Sequence, residues 1–563
     1  PDQMPDQMTG QYRVDRHVDT KVPMRDGVLL SADLFLPRGA GAAPTVLLRT
    51  PYSNNTEANI EKGQRLANGG YNCVIADCRG RWDSDGAYAP FINEAEDGFD
   101  THQWIGQQPW SDGTIGTAGA SYLGTTQWRS APLASEYLTC MAPRVICTDY
   151  YSGLLYPGGA LQLNVAMTWG MRTQGRTGQD IDFHNWTQAF RHLPLREIDQ
   201  SAGRDMSFWR EWIDHPSYDE YWAQMDDEQK WEQITVPALN MGGWYDLYAT
   251  QTFSNFNGLR HHGGSEAARQ SQLIMGPWPH ALSTSTRTGD IDFGQQSLYD
   301  LEALELRWFD HWMRGVDNGI ESESPLRLFI MGANQWRDED EWPLARTDWQ
   351  KWFLHSEGKA NSVIGDGSLT TIPPLNESAD HFVYDPEFPV QTLGGNNCCS
   401  PHIVPWGPYD QRPAEMRGDV LCYTSAPLSE DLHVIGPIEV VLYAATDGLD
   451  TDWTAKLVDV FENGYAMNLC DGIVRARYRE SRQAPRLLEA GTVYEYRIDV
   501  GVTGNVFQKG HRIRVEISSS NFPRFDRNPN TGNTYGVDAE LRVANQTIHH
   551  CVDHASHIIL PVA

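Results

Sequence analysis

Gly116–Gly124 reads G-T-A-G-A-S-Y-L-G and continues a strand-like run, Thr114–Ala118. Ser121 therefore lies on a predicted sharp turn from a strand into a helix, where a hydroxyl can project and small neighbours let the helix pack close. Leu123 occupies the position at which the G-x-S-x-G pattern has its second glycine. The segment thus indicates a nucleophilic serine, but by itself it is equally consistent with an ordinary glycine-rich turn.

Short apolar runs recur on both sides of this segment. Several are apolar without alternation, which is typical of parallel strands that are buried on both faces. Helix-length stretches such as Glu57–Asn68 and Glu94–Ile105 separate them. The rhythm predicts an open α/β sheet, with strands at Thr45–Leu48, Cys73–Ala76, Thr114–Ala118, Leu138–Ala142, Val236–Met241 and Gln272–Met275.

The residue composition and the hydrophobic pattern change at two places along the chain. Residues 148–233 are rich in Trp, Tyr, His and Met and read as helical, and the sheet pattern resumes afterwards. From about Trp349, short alternating segments are separated by Gly, Pro, Asn and Asp clusters, which indicates a β-sandwich or jelly roll. We predict an α/β body at 1–147 and 234–348, an inserted helical cap at 148–233 and a C-terminal jelly-roll β-sandwich at 349–563.

A catalytic serine needs a base and an acid that orients the base. Asp246 ends G-G-W-Y-D just after the Val236–Met241 run, and His280 ends G-P-W-P-H just after the next run. Each residue alone is more often structural, as a helix cap or a core histidine. Their chain order of serine, acid and histidine, each at the end of a strand, is the order found in α/β-hydrolases and predicts a triad.

An oxyanion hole is the remaining requirement of acyl transfer. The backbone N–H of Tyr122 follows the serine and should supply one donor. The second donor would come from the R-T-P-Y-S-N-N loop, Arg49–Asn55, where the phenol of Tyr52 could reach the site. The alternative is that Tyr52 only packs over the edge of the sheet.

The chain resembles the cocaine esterase / X-prolyl dipeptidyl-peptidase hydrolases, the CocE/NonD or S15-type family that includes glutaryl-7-aminocephalosporanic acid acylases. The similarity extends over nearly the whole chain, and G-x-S-Y-x-G is that family's own form of the serine turn. The motifs that carry it are Val22–Val28, Arg49–Tyr52, Ala76–Gly86, Gly119–Trp128, Gly243–Asp246, Gly276–His280, Ala455–Val460, Leu469–Arg479 and Ser518–Gly532.

The resemblance implies a serine hydrolase with an α/β-hydrolase core, a helical cap and a C-terminal jelly roll that helps to wall the site. Its implied site residues are Ser121 as nucleophile, Asp246 as acid, His280 as base, and Tyr52 with Tyr122 as the oxyanion hole. We therefore expect cleavage of a carboxylic ester or amide bond through an acyl-enzyme intermediate, with no cofactor.

The substrate is less constrained by the sequence. An aminopeptidase or amino-ester hydrolase needs carboxylates for the substrate ammonium, but Tyr150–Trp169 contains no Asp or Glu. This favours an uncharged acyl group, with Leu154, Trp169 and Tyr248 as candidate pocket walls. An X-prolyl dipeptidyl-peptidase and a catalytically silent carbohydrate-binding protein remain the alternatives.

The charge composition indicates which classes of binding partner the protein disfavours. The 563 residues contain 74 Asp+Glu and 44 Lys+Arg, for a formal net charge of −30. Such a surface repels phosphate backbones and anionic lipids, which disfavours nucleic-acid and membrane partners and leaves a small-molecule substrate. No apolar run reaches the roughly 20 residues of a membrane span. The sequence does not decide between a monomer and a homo-oligomer.

Cysteines and histidines give weaker signals. Nine cysteines without a C-x-x-C motif suit a reducing compartment, so we expect a cytoplasmic protein in which Cys398 and Cys399 are free thiols in a loop. The first eight residues repeat one tetrapeptide without a signal-peptide pattern, although an upstream segment could have been removed. The histidines of Ile548–Ile558 suggest a zinc site and a metallohydrolase, but neighbouring residues of a strand face opposite sides, so we predict no metal there.

Overall fold

The computed structural model describes residues 11–563. The predicted absence of a signal pattern falls on residues 1–10, outside this range. Twelve strands belong to the N-terminal three fifths of the chain: β1 (Val14–Pro23), β2 (Leu29–Pro37), β3 (Ala43–Thr50), β4 (Asn72–Asp77), β5 (Ser111–Ala120), β6 (Leu138–Arg144), β7 (Leu239–Gly243), β8 (Gln272–Gly276), β9 (Arg287–Thr288), β10 (Ile291–Asp292), β11 (Leu326–Ile330) and β12 (Gln335–Glu339).

Ten of these strands form one mixed sheet in the order β1-β2-β4-β3-β5-β6-β7-β8-β11-β12. The central pairs from β4 to β11 are parallel, with Val46 opposite Cys73 and Ala118 opposite Ala142. All six predicted strands are present. The run predicted from Val236 becomes a strand only at Leu239, because Pro237 has no N–H to donate to a neighbouring strand.

Helices cover both faces of this sheet. Ser121 directly precedes one of them, and Asp246 lies three residues before another. Their bounds are α1 (Glu57–Asn68), α2 (Glu94–Gly106), α3 (Tyr122–Ser130), α4 (Leu163–Thr173), α5 (Trp186–Arg191), α6 (Ile198–Ser201), α7 (Ser207–Asp214), α8 (Glu220–Ala223), α9 (Ala249–His262), α10 (Leu301–Arg314) and, in the C-terminal region, α11 (Arg412–Glu415).

The segment between β6 and β7 is helical and irregular, as predicted for the cap. It contains α4 to α8 and a π-helical turn at Tyr151–Leu155. Its aromatic residues are mostly buried and pack into one core with α3. Short 3-10 turns complete the chain at Ala131–Leu133, Pro157–Gly159, Leu195–Glu197, Glu228–Gln233, Ala268–Gln270, Gln295–Ser297, Ile320–Ser322 and Ala476–Tyr478.

The C-terminal region is rich in β-strands. Twelve strands join in a second sheet, in which β17 and β20 pair antiparallel over most of their lengths. The jelly-roll connectivity and the domain boundaries stay predictions. The strands are β13 (Asp348–His355), β14 (Ser368–Thr370), β15 (Asp380–Tyr384), β16 (Leu421–Thr424), β17 (Leu432–Thr446), β18 (Asp452–Val460), β19 (Ala466–Arg475), β20 (Tyr494–Phe507), β21 (Arg512–Ser518), β22 (Ala544–Cys551), β23 (His554–Ala555) and β24 (His557–Val562).

The β-rich region and the α/β body share a hydrophobic core beneath the loop that follows β7. Trp244 is fully buried in this core, and its Nε1 donates to the carbonyl of Phe329 over 2.7 Å. The hydroxyl of Tyr245 donates to the carbonyl of Asn468 over 2.9 Å. The C-terminal region therefore holds the loop that carries Asp246.

Within residues 11–563, no helix has the length and apolar character needed to cross a membrane.

Candidate active site

Ser121 lies on a strained turn between β5 and α3. Its backbone has φ 58° and ψ −124°, values that non-glycine residues rarely adopt and that occur at functional sites. The turn is tightly packed, because a Cβ at Gly124 would lie 2.7 Å from Cγ2 of Ile146 and one at Gly119 would collide with Leu123. This is the geometry of a nucleophile elbow, and the glycines are needed for close packing.

Asp246 and His280 meet at the same edge of the sheet, after β7 and β8. Nδ1 of His280 lies 2.7 Å from Oδ1 of Asp246, and the carboxylate is fully buried. The second oxygen of Asp246 accepts the backbone N–H of Tyr248 over 3.2 Å. Because Nδ1 is engaged by the carboxylate, Nε2 is the ring nitrogen left for proton transfer.

Ser121 and His280 are brought to one region without a direct bond. In residues 11–563, no hydrogen bond joins the Ser121 hydroxyl to the imidazole of His280. Tyr248 connects the two, since its ring centre lies 5.9 Å from that of His280 and its side chain lines the same cavity as Ser121. Catalytic hydrogen bonds are often long or misaligned without substrate. The three-residue relay is therefore a proposal, developed below.

Tyr52 and Tyr122 lie beside Ser121, where the sequence predicts an oxyanion hole. The phenol oxygen of Tyr52 accepts the Nε1–H of Trp169 over 2.8 Å, which leaves the phenol's own proton free to donate. Burial raises the pKa of Tyr52, so this proton is retained at neutral pH. Tyr122 is the first residue of α3, so its backbone N–H has no acceptor within the helix.

A small cavity opens over Ser121. All three predicted wall residues, Leu154, Trp169 and Tyr248, lie in its lining. The rings of Phe91 and Trp169 stack with centres 5.7 Å apart, and those of Trp169 and Trp212 with centres 6.3 Å apart. The full lining consists of Tyr52, Phe91, Ser121, Tyr122, Thr125, Ile146, Leu154, Leu155, Val165, Ala166, Trp169, Trp212, Tyr248 and Cys399, and none of these side chains carries a formal charge.

The resemblance implies that the C-terminal region helps to wall the site, and the loop of residues 394–400, which the sequence did not single out, is the part of that region that reaches it. Cys399 lines the cavity, and Nδ2 of Asn396 donates to the carbonyls of Trp244 and Asp246, over 2.8 Å each. The G-G-N-N-C-C sequence of the loop was the available signal, since glycine and asparagine pairs indicate a constrained turn. The expectation of free thiols was wrong, because Cys398 and Cys399 form a disulfide with each other.

The C-terminal histidine cluster is divided between the two faces of β22. His550 is buried, and its Nε2 lies 2.8 Å from Oδ2 of Asp380 and 3.2 Å from Oγ of Ser356. His549 is partly exposed on the other face. His550 is thus part of a buried polar network within the β-rich region.

Comparison with known proteins agrees with this architecture. Residues 26–282 match the X-Pro dipeptidyl-peptidase (S15 family) model, and residues 318–559 match the X-Pro dipeptidyl-peptidase C-terminal non-catalytic domain. The cocaine esterase of Rhodococcus sp. (strain MB1 Bresler) is 37% identical, with 98% of this chain and 99% of the esterase covered. A putative serine esterase of Mycobacterium bovis is 26% identical, with 99% and 97% covered.

Solved structures show the same fold. An α-amino acid ester hydrolase superimposes with a TM-score of 0.84 at 25% identity, over 100% of this chain and 98% of the other. A CocE/NonD family hydrolase from Staphylococcus aureus has a TM-score of 0.70 at 18% identity, over 98% and 94%. The full-length similarity to cocaine esterase, together with the S15 match, shows that this chain belongs to the CocE/NonD branch of the S15 family and is a serine hydrolase of ester or acyl bonds.

Proposed function

We propose that this hydrolase is a carboxylesterase for uncharged acyl groups, with a preference for apolar and aromatic ones. The observation that carries the proposal is the cavity over Ser121, which is lined by stacked aromatic rings and aliphatic side chains without a formal charge. An acyl group in this cavity gains apolar contact and aromatic stacking. A substrate ammonium would lose its hydration there without a partner.

Ser121, His280 and Asp246 perform the proposed chemistry. The Ser121 hydroxyl attacks the ester carbonyl while Nε2 of His280 takes its proton. The imidazolium then returns this proton to the leaving alkoxide, and water hydrolyses the acyl-enzyme by the same route in reverse. The 2.7 Å contact with Asp246 holds the proton of the neutral ring on Nδ1, so that Nε2 can act as the base.

Tyr52 and the Tyr122 amide are the proposed donors to the oxyanion. The Tyr52 phenol accepts from Trp169 and is therefore oriented before substrate arrives. The amide of Tyr122 lies at the start of α3, where the helix dipole also favours negative charge. Donors that are already oriented stabilise the developing charge without reorganisation during the reaction.

The second candidate is an X-prolyl dipeptidyl-peptidase. Proteins that carry this name are more distant, such as the putative Xaa-Pro dipeptidyl-peptidase of Rhodopirellula baltica, 22% identical over 77% of this chain. Glu94, an acid in contact with Tyr122 of the elbow, is bound by the guanidinium of Arg49 and the hydroxyl of Tyr122 and does not line the cavity. The cavity therefore favours the esterase, in line with the name of the 37% identical relative.

A substrate panel tests the proposal. We expect p-nitrophenyl butyrate and benzoate to be hydrolysed with much higher kcat/KM than an aminoacyl p-nitrophenyl ester or an alanyl-prolyl p-nitroanilide. Efficient cleavage of the anilide, or a preference for the aminoacyl ester, would overturn it in favour of the peptidase or amino-ester hydrolase.

A fluorophosphonate probe tests the nucleophile and separates the enzyme from a silent carbohydrate-binding protein. We expect stoichiometric labelling of the wild-type chain and none of Ser121→Ala. Ser130→Ala is the matched control. Ser130 is a buried serine at the end of α3, the helix that Ser121 precedes, and its Oγ donates to the carbonyl of Thr126. Labelling that survives Ser121→Ala would remove Ser121 from the mechanism.

We also propose a cytoplasmic location and a small-molecule substrate as the only partner required for activity, without nucleic acid or membrane. Seven of the nine cysteines are free thiols within the described residues, and the disulfide of the other two joins adjacent residues and closes no long loop, which suits a reducing compartment. The acidic charge supports the absence of polyanionic partners. Cell fractionation tests the location, and sedimentation analysis decides between a monomer and a homo-oligomer.

A further inference from the structure

Cys398 and Cys399 lie in the wall of the active-site cavity. Cys399 lines the cavity with a partly exposed side chain, and Cys398 is buried behind it. The backbone of Cys399 has φ 76°, in the left-handed region that non-glycine residues rarely occupy. Such outliers persist only where surrounding structure enforces them, and they concentrate at functional sites.

The loop is fixed to the cap as well as to the α/β body. The two terminal nitrogens of Arg172, on α4, donate to the carbonyl of Cys399 over 3.0 Å and to Oγ of Ser400 over 3.1 Å. Nδ2 of Asn397 donates to the carbonyls of Gly394 and Pro405. The backbone that carries the two cysteines is therefore held from both sides by contacts that do not involve the sulfur atoms.

His280 completes a cluster with this pair. A ring nitrogen of His280 and the sulfurs of Cys398 and Cys399 all lie within 4.8 Å of one another, and in residues 11–563 this is the one group of His, Cys, Asp and Glu side chains with that spacing. Since Asp246 engages Nδ1, Nε2 is the nitrogen available to a ligand. Two thiolates and one imidazole are a donor set that Zn²⁺ binds, with a fourth position left for water.

We propose that Cys398, Cys399 and His280 form a redox-gated inhibitory site for a thiophilic divalent cation such as Zn²⁺. In the dithiol form the two sulfurs and Nε2 bind the cation. In the disulfide form the sulfurs are bonded to each other and the site does not bind it. Inhibition by the cation rests on the proposed function, because the bound Nε2 of His280 is the proposed base. Binding of the cation does not rest on it.

Reduction and re-oxidation of the Cys398–Cys399 disulfide interconvert the two forms of the site. A phosphine reductant and one water convert the disulfide into two thiols and a phosphine oxide. Zn²⁺ then forms two bonds to sulfur and one to Nε2, and the two thiol protons pass to the solvent. In the opposite direction, a small-molecule disulfide accepts the two electrons of the dithiol and leaves as two thiols.

The test compares two forms of the full-length wild-type enzyme. One sample is reduced with tris(carboxyethyl)phosphine, and the other is oxidised with glutathione disulfide and freed of small molecules. Micromolar Zn²⁺ is added, and p-nitrophenyl butyrate hydrolysis is followed. We expect the reduced sample to lose about tenfold or more of its kcat/KM, since a bound cation removes the base. EDTA should restore it, and the oxidised sample should keep its rate.

A second readout does not require activity. Cd²⁺ added to the reduced protein should produce a sulfur-to-cadmium charge-transfer band with one equivalent bound, and it should do so in Ser121→Ala as well. If the triad is wrong but the site is right, this band remains. The absence of the band from the reduced protein would overturn the proposal whatever the kinetics show.

Variants assign the ligands. Cys398→Ser and Cys399→Ser should each lose the cadmium band and the Zn²⁺ inhibition. Cys551→Ser, which removes a partly exposed cysteine of the β-rich region, should retain both. Equal inhibition of the oxidised enzyme, or inhibition that persists in both cysteine variants, would show that the cation acts elsewhere and would refute the site.

Discussion

The indole Nε1 of Trp169 donates a 2.8 Å hydrogen bond to the phenol oxygen of Tyr52, 117 positions away. This bond joins helix α4 of the cap to the loop after β3. It occupies one lone pair of the phenol and orients its proton, while burial keeps the phenol protonated. Helix α4 therefore positions the phenol that we propose as an oxyanion donor.

Tyr52→Phe tests this group. Loss of one donor to the oxyanion should lower kcat by about 10²–10³ with little change in KM, because the bond strengthens in the transition state. Tyr88→Phe is the matched control, since Tyr88 is a partly buried tyrosine beside Tyr122 whose hydroxyl has no hydrogen-bond partner among residues 11–563. An unchanged kcat in Tyr52→Phe would exclude the phenol from the oxyanion hole.

Removal of triad members should have graded effects. Ser121→Ala should lower kcat by about 10⁶, as in other serine hydrolases. Asp246→Asn should lower it by about 10⁴, because the amide favours the wrong tautomer of His280. Steady-state rates with p-nitrophenyl butyrate measure both, and circular dichroism checks that the variants fold. A loss below tenfold in Asp246→Asn would show that the acid comes from another residue.

Asn396 is predicted to be a positioning residue for Asp246. Asn396→Ala leaves the buried carbonyl of Trp244 without its side-chain donor and the carbonyl of Asp246 with only the backbone N–H of Ala249, which should cost about 1–3 kcal/mol of stability. Because the loop carries the acid, kcat should fall about tenfold while KM stays within twofold. Asn361→Ala is the control, since its Nδ2 also donates to two carbonyls, those of His381 and Gly418 in the β-rich region. Equal kcat in both variants would contradict the role.

Phe91 should contribute to acyl specificity. Its ring stacks on those of Tyr150, Tyr122 and Trp169 with centres 4.5, 5.4 and 5.7 Å away. Phe91→Ala should lower kcat/KM for p-nitrophenyl benzoate and, to a smaller extent, for p-nitrophenyl acetate. The loss for the benzoate should be about 2- to 10-fold larger, because one aromatic pair contributes a free energy of that size. The acetate is the internal control, and equal losses for both esters would indicate a structural role only.

His550 predicts a pH dependence of stability. Burial lowers its pKa, but the hydrogen bond to Asp380 and the charges of Asp380 and Glu377 outweigh this effect and raise it. The pKa of His550 is higher in the folded protein than the value of about 6.5 in the unfolded chain. Protonated His550 therefore stabilises the folded state fully at pH values below about 6.5, and this stabilisation is lost as the pH rises through the folded-state pKa. The pKa of Asp380 is lowered, so its contribution is lost only at acidic pH, as pH falls through its folded value.

Thermal unfolding measures this effect. The Tm of the wild-type protein should fall between about pH 6 and pH 9, and His550→Gln should have a lower Tm at pH 6 and a flatter profile. His381→Gln is the control, because His381 is an exposed histidine on the neighbouring strand β15 and contacts Thr547. A His550→Gln profile parallel to that of the wild type would refute the assignment.

Sequence alone was sufficient for features that are encoded over a few residues. Continuous apolar runs predicted the parallel strands, since both faces of such a strand are buried. The run Gln272–Met275, for example, is a strand that extends only one residue further, to Gly276. The strain at Ser121 followed from its glycine-flanked turn, and the placement of Asp246 and His280 followed from the strands that precede them.

The features that depend on contacts between distant segments could be identified only from the tertiary structure. No local pattern indicates that residues 394–400 of the β-rich region approach a loop about 150 positions earlier, or that two adjacent cysteines meet the imidazole of His280. Periodicity and turn chemistry encode strands and helices, whereas such contacts arise from the packing of the β-rich region and the cap on the α/β body. Short motifs are therefore sufficient to predict the strand ends that carry the proposed catalytic groups. The cavity walls that we propose to select the acyl group are formed only by tertiary packing.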